Sequence, residues 1–218
     1  MTVEPRALLF ARRSERIDRV VADRIASVTV VLEGVHDPHN LAAVLRTAEA
    51  LGLCAVHVIA GPRGFSPAPA VTQGADKWLA VHRHAGPAAA ARLLRSEGFA
   101  LYASLLAGEA LSLDRLPAAG KMALVLGNEH DGVSPPMAAL CDGAFRIPMH
   151  GFTRSFNVSV AAAIALHAAV SARRRGAEGG DLDGPSREAL RRRYEALAVK
   201  QHRRLPWSAN GMRGPPQT

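Results

Sequence analysis

Residues 147–167 read IPMHGFTRSFNVSVAAAIALH, and the reading of this stretch decides the fold. It opens as the end of a strand at Ile147, turns through a short polar segment, and becomes an Ala-rich helix that runs to His167. The turn gathers Thr153, Arg154, Ser155 and Asn157 where the helix begins. Donors and acceptors held beside the unpaired N–H groups of a helix start suit a binding site. The same pattern equally describes a well-capped core helix.

Upstream of it, strands alternate with helices. The spacing predicts a basic helix over 6–24, strands at Val28 to Leu32 and Ala55 to Ala60, and between them a helix opened by Pro38 and closed by Gly52. A Gly/Pro-rich loop is expected from Gly61 to Asp76, then a short strand over Lys77 to Val81 and a helix over Pro87 to Glu97. Further strands fall at Phe99 to Leu105, Met122 to Leu126 and Ala144 to Pro148. This alternation indicates an α/β fold with a mainly parallel sheet and helices on both faces. Ligands gather at the carboxyl ends of strands in such sheets. Here those ends are residues 33–40, 104–108, 126–132 and 149–157, each polar or Gly-rich. Past the Ala-rich helix come three arginines, a flexible GAEGGDLDGP linker, and a last helix from Arg187 to about His202 with Ser186 as its cap. The tail from Pro206 is expected to fray unless Trp207 pins it.

The chain has 218 residues, 48% of them hydrophobic, enough for one ordinary core. Its net charge of +8 is unevenly placed. Residues 1–24 carry six Arg against four acids, residues 25–172 balance at ten of each, and residues 173–218 carry eleven basic against five acidic residues. A neutral core with basic ends reads as a binding or catalytic domain flanked by segments that grip a polyanion, or simply as solvated helix faces. With 5% aromatic residues, a base-stacking platform is not expected and phosphate contacts would dominate. No apolar run reaches membrane-spanning length and no signal-peptide core opens the chain. Cys54 and Cys141 lack metal-ligand spacing, and the expectation is two reduced, buried thiols in a cytoplasmic protein.

Three stretches can carry chemistry: HDPHN from His36 with Arg46 beyond it, LGNEHDGVS from Leu126, and the stretch quoted first. A phosphate-binding P-loop and a GxGxxG turn are both missing, which removes support for nucleotide hydrolysis and dinucleotide binding. His36, Asp37 and His39 lack a companion HExxH or Cys pair, so no metal is expected. Ser155 has no GxSxG context, so a hydrolase is weakly supported. Asn40 and Arg46 stand six positions apart, about 120° around an ideal helix, and do not share a face by spacing alone.

In this order and at these distances, EGVHDPHNLAAVLRTAEALG, ALVLGNEHDGVS and IPMHGFTRSFNVSVAAAIALH resemble the three motifs of the SpoU (TrmH-type) RNA 2′-O-methyltransferases of the knotted SPOUT class. TQGADKWLAV, FALYASL and the basic helices at both ends are similar to the tRNA (TrmH) branch. The resemblance covers roughly residues 6–200. It implies a C-terminal trefoil knot, which composition and periodicity would not have suggested, S-adenosylmethionine bound in the knot loops, and a homodimer joined through the knot region. The Ala-rich helix fits, since small side chains let backbones approach closely.

By motif position the resemblance implies Asn40, Arg46, Glu129, Ser155 and Asn157 as the catalytic set. Arg46 would act on the acceptor hydroxyl, either as a desolvated base or by polarising it and clamping the neighbouring phosphate. Glu129 would bond loop amides or help hold dimer and substrate. The donor would be held mostly by backbone at Gly127, Ile147 and Phe156, with help near Ser104. Many relatives have Leu where Phe156 stands, and Arg154 adds a charge to a turn that is more apolar in the tRNA branch. RNA would be gripped by Arg12, Arg13, Arg16, Arg19, His39, Arg173 and Arg174. The expected organisation is a basic N-terminal helix over 1–26, a methyltransferase domain over 27–176, and a linker with a basic C-terminal helix over 177–218.

The expected activity is methyl transfer to the ribose 2′-hydroxyl of a D-loop guanosine in tRNA, position 18 in the family's usual substrate. The alternatives are a 23S ribosomal-RNA enzyme of the same fold and a non-catalytic RNA-binding knot protein. Only about 26 residues precede the first strand, whereas ribosomal-RNA members often carry a separate N-terminal domain, so tRNA is favoured.

Overall fold

The structure is a computed structural model, and it describes residues 5–61, 67–105, 110–175 and 179–204. In chain order it comprises α1 (Pro5–Ala22), β1 (Val28–Glu33), α2 (Pro38–Ala50), β2 (Ala55–Ile59), α3 (Pro69–Thr72), β3 (Ala80–His84), α4 (Pro87–Ser96), β4 (Phe99–Ser104), β5 (Leu111–Ser112), β6 (Lys121–Leu126), α5 (Pro135–Ala138), β7 (Gly143–Arg146), α6 (Val158–Arg174) and α7 (Gly184–Arg204). The strands form a seven-stranded sheet in the order β3-β2-β1-β6-β4-β7-β5, with every pairing parallel. After building outward from β1 to β3, the chain returns through β4 and β5 and places β6 at the centre. It then slots β7 between β4 and β5.

Strand periodicity splits the core in two. Val28, Val30 and Leu32 of β1, with Met122, Leu124 and Leu126 of β6, pack under α2 and α6. Val31, Ala123 and Val125 point the other way, against Ala90, Ala91 and Leu94 of α4 and Met137 of α5. Helices therefore cover both faces, and β1 and β6 are buried on each, as expected for central parallel strands. A third cluster, Ile17, Val21, Tyr194 and Ala198 with Trp78 against it, joins α1 to α7.

Five local expectations shift. The strand expected over Lys77 to Val81 runs instead over Ala80–His84, because Lys77 ends a 3-10 turn (Ala75–Lys77) and Ala80 N–H is the first to bond the ladder, at Cys54 O. As an edge strand β3 exposes His82 and Arg83, and that polarity disguised it. The Gly61 to Asp76 segment is not wholly irregular, since it holds α3 and that turn. The last helix is capped by Asp183, whose carboxylate accepts from Ser186 N–H at 2.7 Å, and not by Ser186. The two-residue β5 was not foreseen, being too short to show periodicity. Cys54 and Cys141 are free but half-buried rather than buried. Burial pushes both thiols up to about 11. The expected tail from Pro206, including Trp207, and Gly108 lie outside the described residues.

Candidate active site

The carboxyl ends of β6, β4 and β7 open onto a cavity of about 630 Å³. Ser104 and Leu105 line it from β4, Leu126 to Val133 from the loop after β6, Ile147 and Met149 from beyond β7, and Ser155 to Val158 and Ala161 from the start of α6. All four residues expected at the donor, Ser104, Gly127, Ile147 and Phe156, are in this wall, as are Glu129, Ser155 and Asn157. Asn40, Arg46 and His39 are not among the lining residues.

Gly127 is required here for closeness of approach rather than for a special φ. A Cβ built on it would lie 1.8 Å from the carbonyl carbon and oxygen of Gly132 and 2.1 Å from Val133 N. The loop folds back on itself by a pair of backbone bonds between Asn128 and Gly132, at 3.1 and 3.2 Å. Asn128 Oδ1 accepts from the N–H groups of both His130 and Asp131 at 2.8 Å, an Asx-type turn. Gly132, at φ 70°, supplies the left-handed residue that closes it. From below, Glu33 at the end of β1 accepts from Ser134 N–H (2.9 Å) and Ser134 Oγ–H (2.6 Å), while Ser134 Oγ accepts from Met137 N–H at the start of α5. Asn128, Glu33 and Ser134 shape the loop and were not singled out from sequence. An Asn four residues before a Gly after a strand was the available signal for Asn128, whereas Glu33 and Ser134 pair across 101 residues.

Beside the cavity the three motifs meet. Asn40 Nδ2 donates to Glu129 Oε1 at 2.7 Å, and Asn157 Nδ2 donates to Asn40 Oδ1 at 3.1 Å. Asn157 is the N-cap of α6, and its Oδ1 accepts from Ser159 N–H at 2.9 Å and Ser159 Oγ–H at 2.6 Å. A carboxylate can only accept and a backbone N–H can only donate, so the two ends of this chain determine which way both amides face. Asn40 is buried at 9% exposure near the start of α2, where Asp37 caps the helix by accepting from His39 N–H at 2.8 Å.

Arg46 lies on the same helix but is exposed, and no hydrogen bond or ion pair engages it among the described residues. The separation expected from helix geometry holds: Asn40 turns inward and Arg46 outward. Within one chain the structure thus brings together Asn40, Glu129, Asn157 and Ser155, and leaves Arg46 and His39 at the surface. Residues 150–157 are all exposed, with Phe152 fully so, and Phe156 and Val160 present further apolar surface.

Of the arginines assigned to RNA, Arg12, Arg13, Arg16 and Arg19 are exposed along α1. Arg173 and Arg174 differ: Arg173 donates through both terminal nitrogens to the carbonyls of Ala118 and Gly120, and Arg174 donates to Asp23 O at 3.0 Å. These two fasten α6 to neighbouring segments of the chain itself.

The cavity fits S-adenosylmethionine by its size and by its donor set. Leu105, Ile147, Met149 and Phe156 offer an apolar wall for a base, and Asn128, Glu129 and Asp131 offer polar and negative groups for a sulfonium and an amino-acid moiety.

Comparison with known proteins agrees with this geometry. Residues 27–167 match the model of the SpoU rRNA Methylase family. A tRNA (guanosine(18)-2′-O)-methyltransferase of Thermus thermophilus is 39% identical over 154 residues, which is 71% of this chain and 79% of that one. The crystal structure of the TrmH/SpoU tRNA modifying enzyme of A. aeolicus superposes with a TM-score of 0.79 at 26% identity, covering 88% of this chain and 98% of that one. An AdoMet-bound rRNA methyltransferase from Sinorhizobium meliloti superposes with a TM-score of 0.60 at 26% identity, covering 73% and 60% respectively. With three motifs converging on one cavity and the family model spanning the sheet that forms it, the chain belongs to the SpoU methylase family.

Proposed function

We propose that this protein transfers a methyl group from S-adenosylmethionine to the ribose 2′-hydroxyl of guanosine 18 in tRNA, the activity named for its Thermus relative. The observation that carries the reading is the hydrogen-bonded run Glu129–Asn40–Asn157 at the rim of the cavity, because it joins all three motifs at one point. When bound, the cofactor supplies a methyl carbon on a sulfonium that leaves as a neutral thioether. The rest of the task is to align the acceptor oxygen and relieve it of its proton.

Asn157 and Ser155 stand at the cavity wall where the ribose enters, and the Asn40–Glu129 pair holds Asn157 in position. Arg46 is exposed on the helix that carries Asn40 and, among the described residues, has no partner, which leaves it to meet an incoming phosphate or hydroxyl. A guanidinium is a permanent cation with a forked set of donors, so it clamps the phosphate beside the acceptor and polarises the hydroxyl. Phe156, in place of the commoner Leu, keeps that part of the cavity wall apolar.

The same reading includes a trefoil knot, supported by the insertion of β7 between β4 and β5 after β6 has taken the centre. It includes a homodimer through that region, supported by the exposed Phe152, Phe156 and Val160. It divides the chain into a basic helix over 1–26, the methyltransferase domain over 27–176 and a basic C-terminal segment over 177–218, with Arg12, Arg13, Arg16, Arg19 and His39 meeting RNA. A cytoplasmic location follows from a tRNA substrate. Among the described residues no helix is long and apolar enough to cross a membrane.

The test is incubation of the protein with labelled S-adenosylmethionine and unmodified tRNA, followed by mapping of sites resistant to alkaline cleavage. The expected result is a single 2′-O-methyl group at guanosine 18. Methylation of ribosomal RNA alone, or of no RNA, would overturn the reading.

A further inference from the structure

We propose that α7 acts as a latch, with Tyr194 as its bolt, and that this latch holds α1 in register with the helix carrying Asn40 and Arg46. The inference rests on the proposed function and names the residues that would transmit position from the RNA-gripping helix to the site.

Although it belongs to a helix rich in arginine, Tyr194 is only 1% exposed. Its Oη–H donates to Trp78 O at 2.6 Å, and its ring meets the Trp78 ring edge-on with centroids 5.1 Å apart at 83°. On another side lies Arg24, also 1% exposed, with its guanidinium carbon 5.4 Å from the Tyr194 ring centroid. Arg24 in turn donates to Glu49 Oε1 at 2.8 Å, to Glu49 O at 3.2 Å and to Leu53 O at 2.9 Å. Glu49 stands near the end of α2, the helix that bears Asn40 and Arg46. A continuous set of contacts, buried at Tyr194 and Arg24 and half-buried at Glu49, therefore runs from α7 to the helix that bears Asn40 and Arg46.

The same helix also holds α1. Arg191 pairs with Asp18 at 2.6 Å, and Ile17 and Val21 of α1 pack with Tyr194 and Ala198. Arg193 donates to Leu79 O at 2.8 Å, next to the carbonyl that Tyr194 uses. The segment leading into α7 is tied down as well, since Asp181 accepts from the N–H groups of Ala26 and Ser27, and Gly180 and Asp181 bond the carbonyls of Ala22 and Arg24. Gly180 admits no side chain, because a Cβ there would lie 2.2 Å from Arg24 O. Arg191 and Arg193, though still partly exposed, are thus tied to other segments of the protein, while Arg12, Arg13, Arg16 and Arg19 on α1 face solvent. The two basic helices divide the work: α1 presents positive charge to the phosphates, and α7 fixes where that charge stands relative to the cavity. A backbone-gripping surface contributes affinity wherever it sits, but contributes to positioning only when rigidly tied to the reacting groups.

The experiment uses the full chain with Tyr194→Leu and Tyr194→Phe. Steady-state methylation of tRNA, cofactor affinity by calorimetry, and amide hydrogen exchange are measured for each. Tyr194→Leu should raise KM for tRNA about tenfold and lower α1 amide protection, with cofactor affinity and protection of β6 within about twofold of the parent. Tyr194→Phe, which keeps the ring over Arg24, should restore most of both losses. Unchanged KM and unchanged α1 exchange would overturn the latch, and so would a parallel loss of cofactor affinity. If Tyr194→Leu fails to fold, Arg191→Gln takes its place, with the same expected loss of α1 protection. The exchange readout needs no turnover, so failure of the parent protein to methylate tRNA would count against the function and leave the latch separately decided.

Discussion

Asn40 and Glu129 stand 89 residues apart in the chain, yet Asn40 Nδ2 donates to Glu129 Oε1 at 2.7 Å. That bond, with the one from Asn157 to Asn40 Oδ1, joins a loop, the start of α2 and the cap of α6 into one rim. Its direction is determined at both ends, so each residue depends on the exact chemical type of the next.

Replacing Asn40 with Asp tests this dependence. A second carboxylate would face Glu129 at hydrogen-bond distance and remove the only donor between them. We expect single-turnover methyl transfer to fall about 100-fold or more and stability to drop by about 1–3 kcal/mol. Asn40→Asp activity near that of the parent would mean that the rim is not needed for transfer.

Gly127→Ala should act on the cofactor instead. Its Cβ would collide with the Gly132 carbonyl at 1.8 Å, and a backbone contact cannot yield as a flexible side chain can. Titration calorimetry should show S-adenosylmethionine binding lost or weakened at least about tenfold, roughly 1.4 kcal/mol. Wild-type affinity would show that the loop can open without cost.

Arg46→Ala should separate chemistry from folding. Because Arg46 is exposed and has no hydrogen bond or ion pair among the described residues, the urea midpoint should correspond to a change within about 0.5 kcal/mol. Methyl transfer should be abolished while cofactor affinity persists, since Arg46 does not line the cavity. Undiminished turnover would remove Arg46 from the mechanism.

A histidine cluster shared by β2 and β3 should set the acid response. His57 is 2% exposed, with its Nδ1 2.9 Å from His84 Nε2 and its ring stacked on those of His82 and His84. Burial first, then positive charge at His82 and His84, pushes the His57 pKa down from 6.5 to about 3. Burial and His82 also lower that of His84, against an opposing pull from Glu97. As pH falls below the unfolded value, the unfolded chain takes up a proton that the folded chain refuses. The stability associated with His57 is therefore complete above 6.5 and is lost as pH falls toward 3, at about 1.4 kcal/mol per pH unit. Urea midpoints should decline from about pH 7 to about pH 5, and His57→Leu should flatten that decline. An equally steep decline in His57→Leu would place the acid sensitivity elsewhere.

The sequence alone determined the alternation of elements and the sheet edge that carries the site. Those depend on local chemistry: helical spacing in α2, Pro38 at its start, Gly52 at its end, and polar or Gly-rich segments within a few residues of the ends of β1, β6 and β7. The individual site residues came from the resemblance of three motifs to a known family, and Ser104, Gly127, Ile147 and Phe156 do line one cavity. Only the tertiary structure decided how they relate. The polar β3 edge hid its register because its outward face never needed to be apolar. Glu33 and Ser134, or Asn40 and Glu129, are partners only because the strand order sets distant segments side by side. Charge counting could not tell the arginines of α1 from Arg24, Arg173 and Arg193, which bond backbone carbonyls of the chain itself. A guanidinium has the same charge whether it faces a phosphate or a backbone oxygen, and what surrounds it after folding decides which it meets.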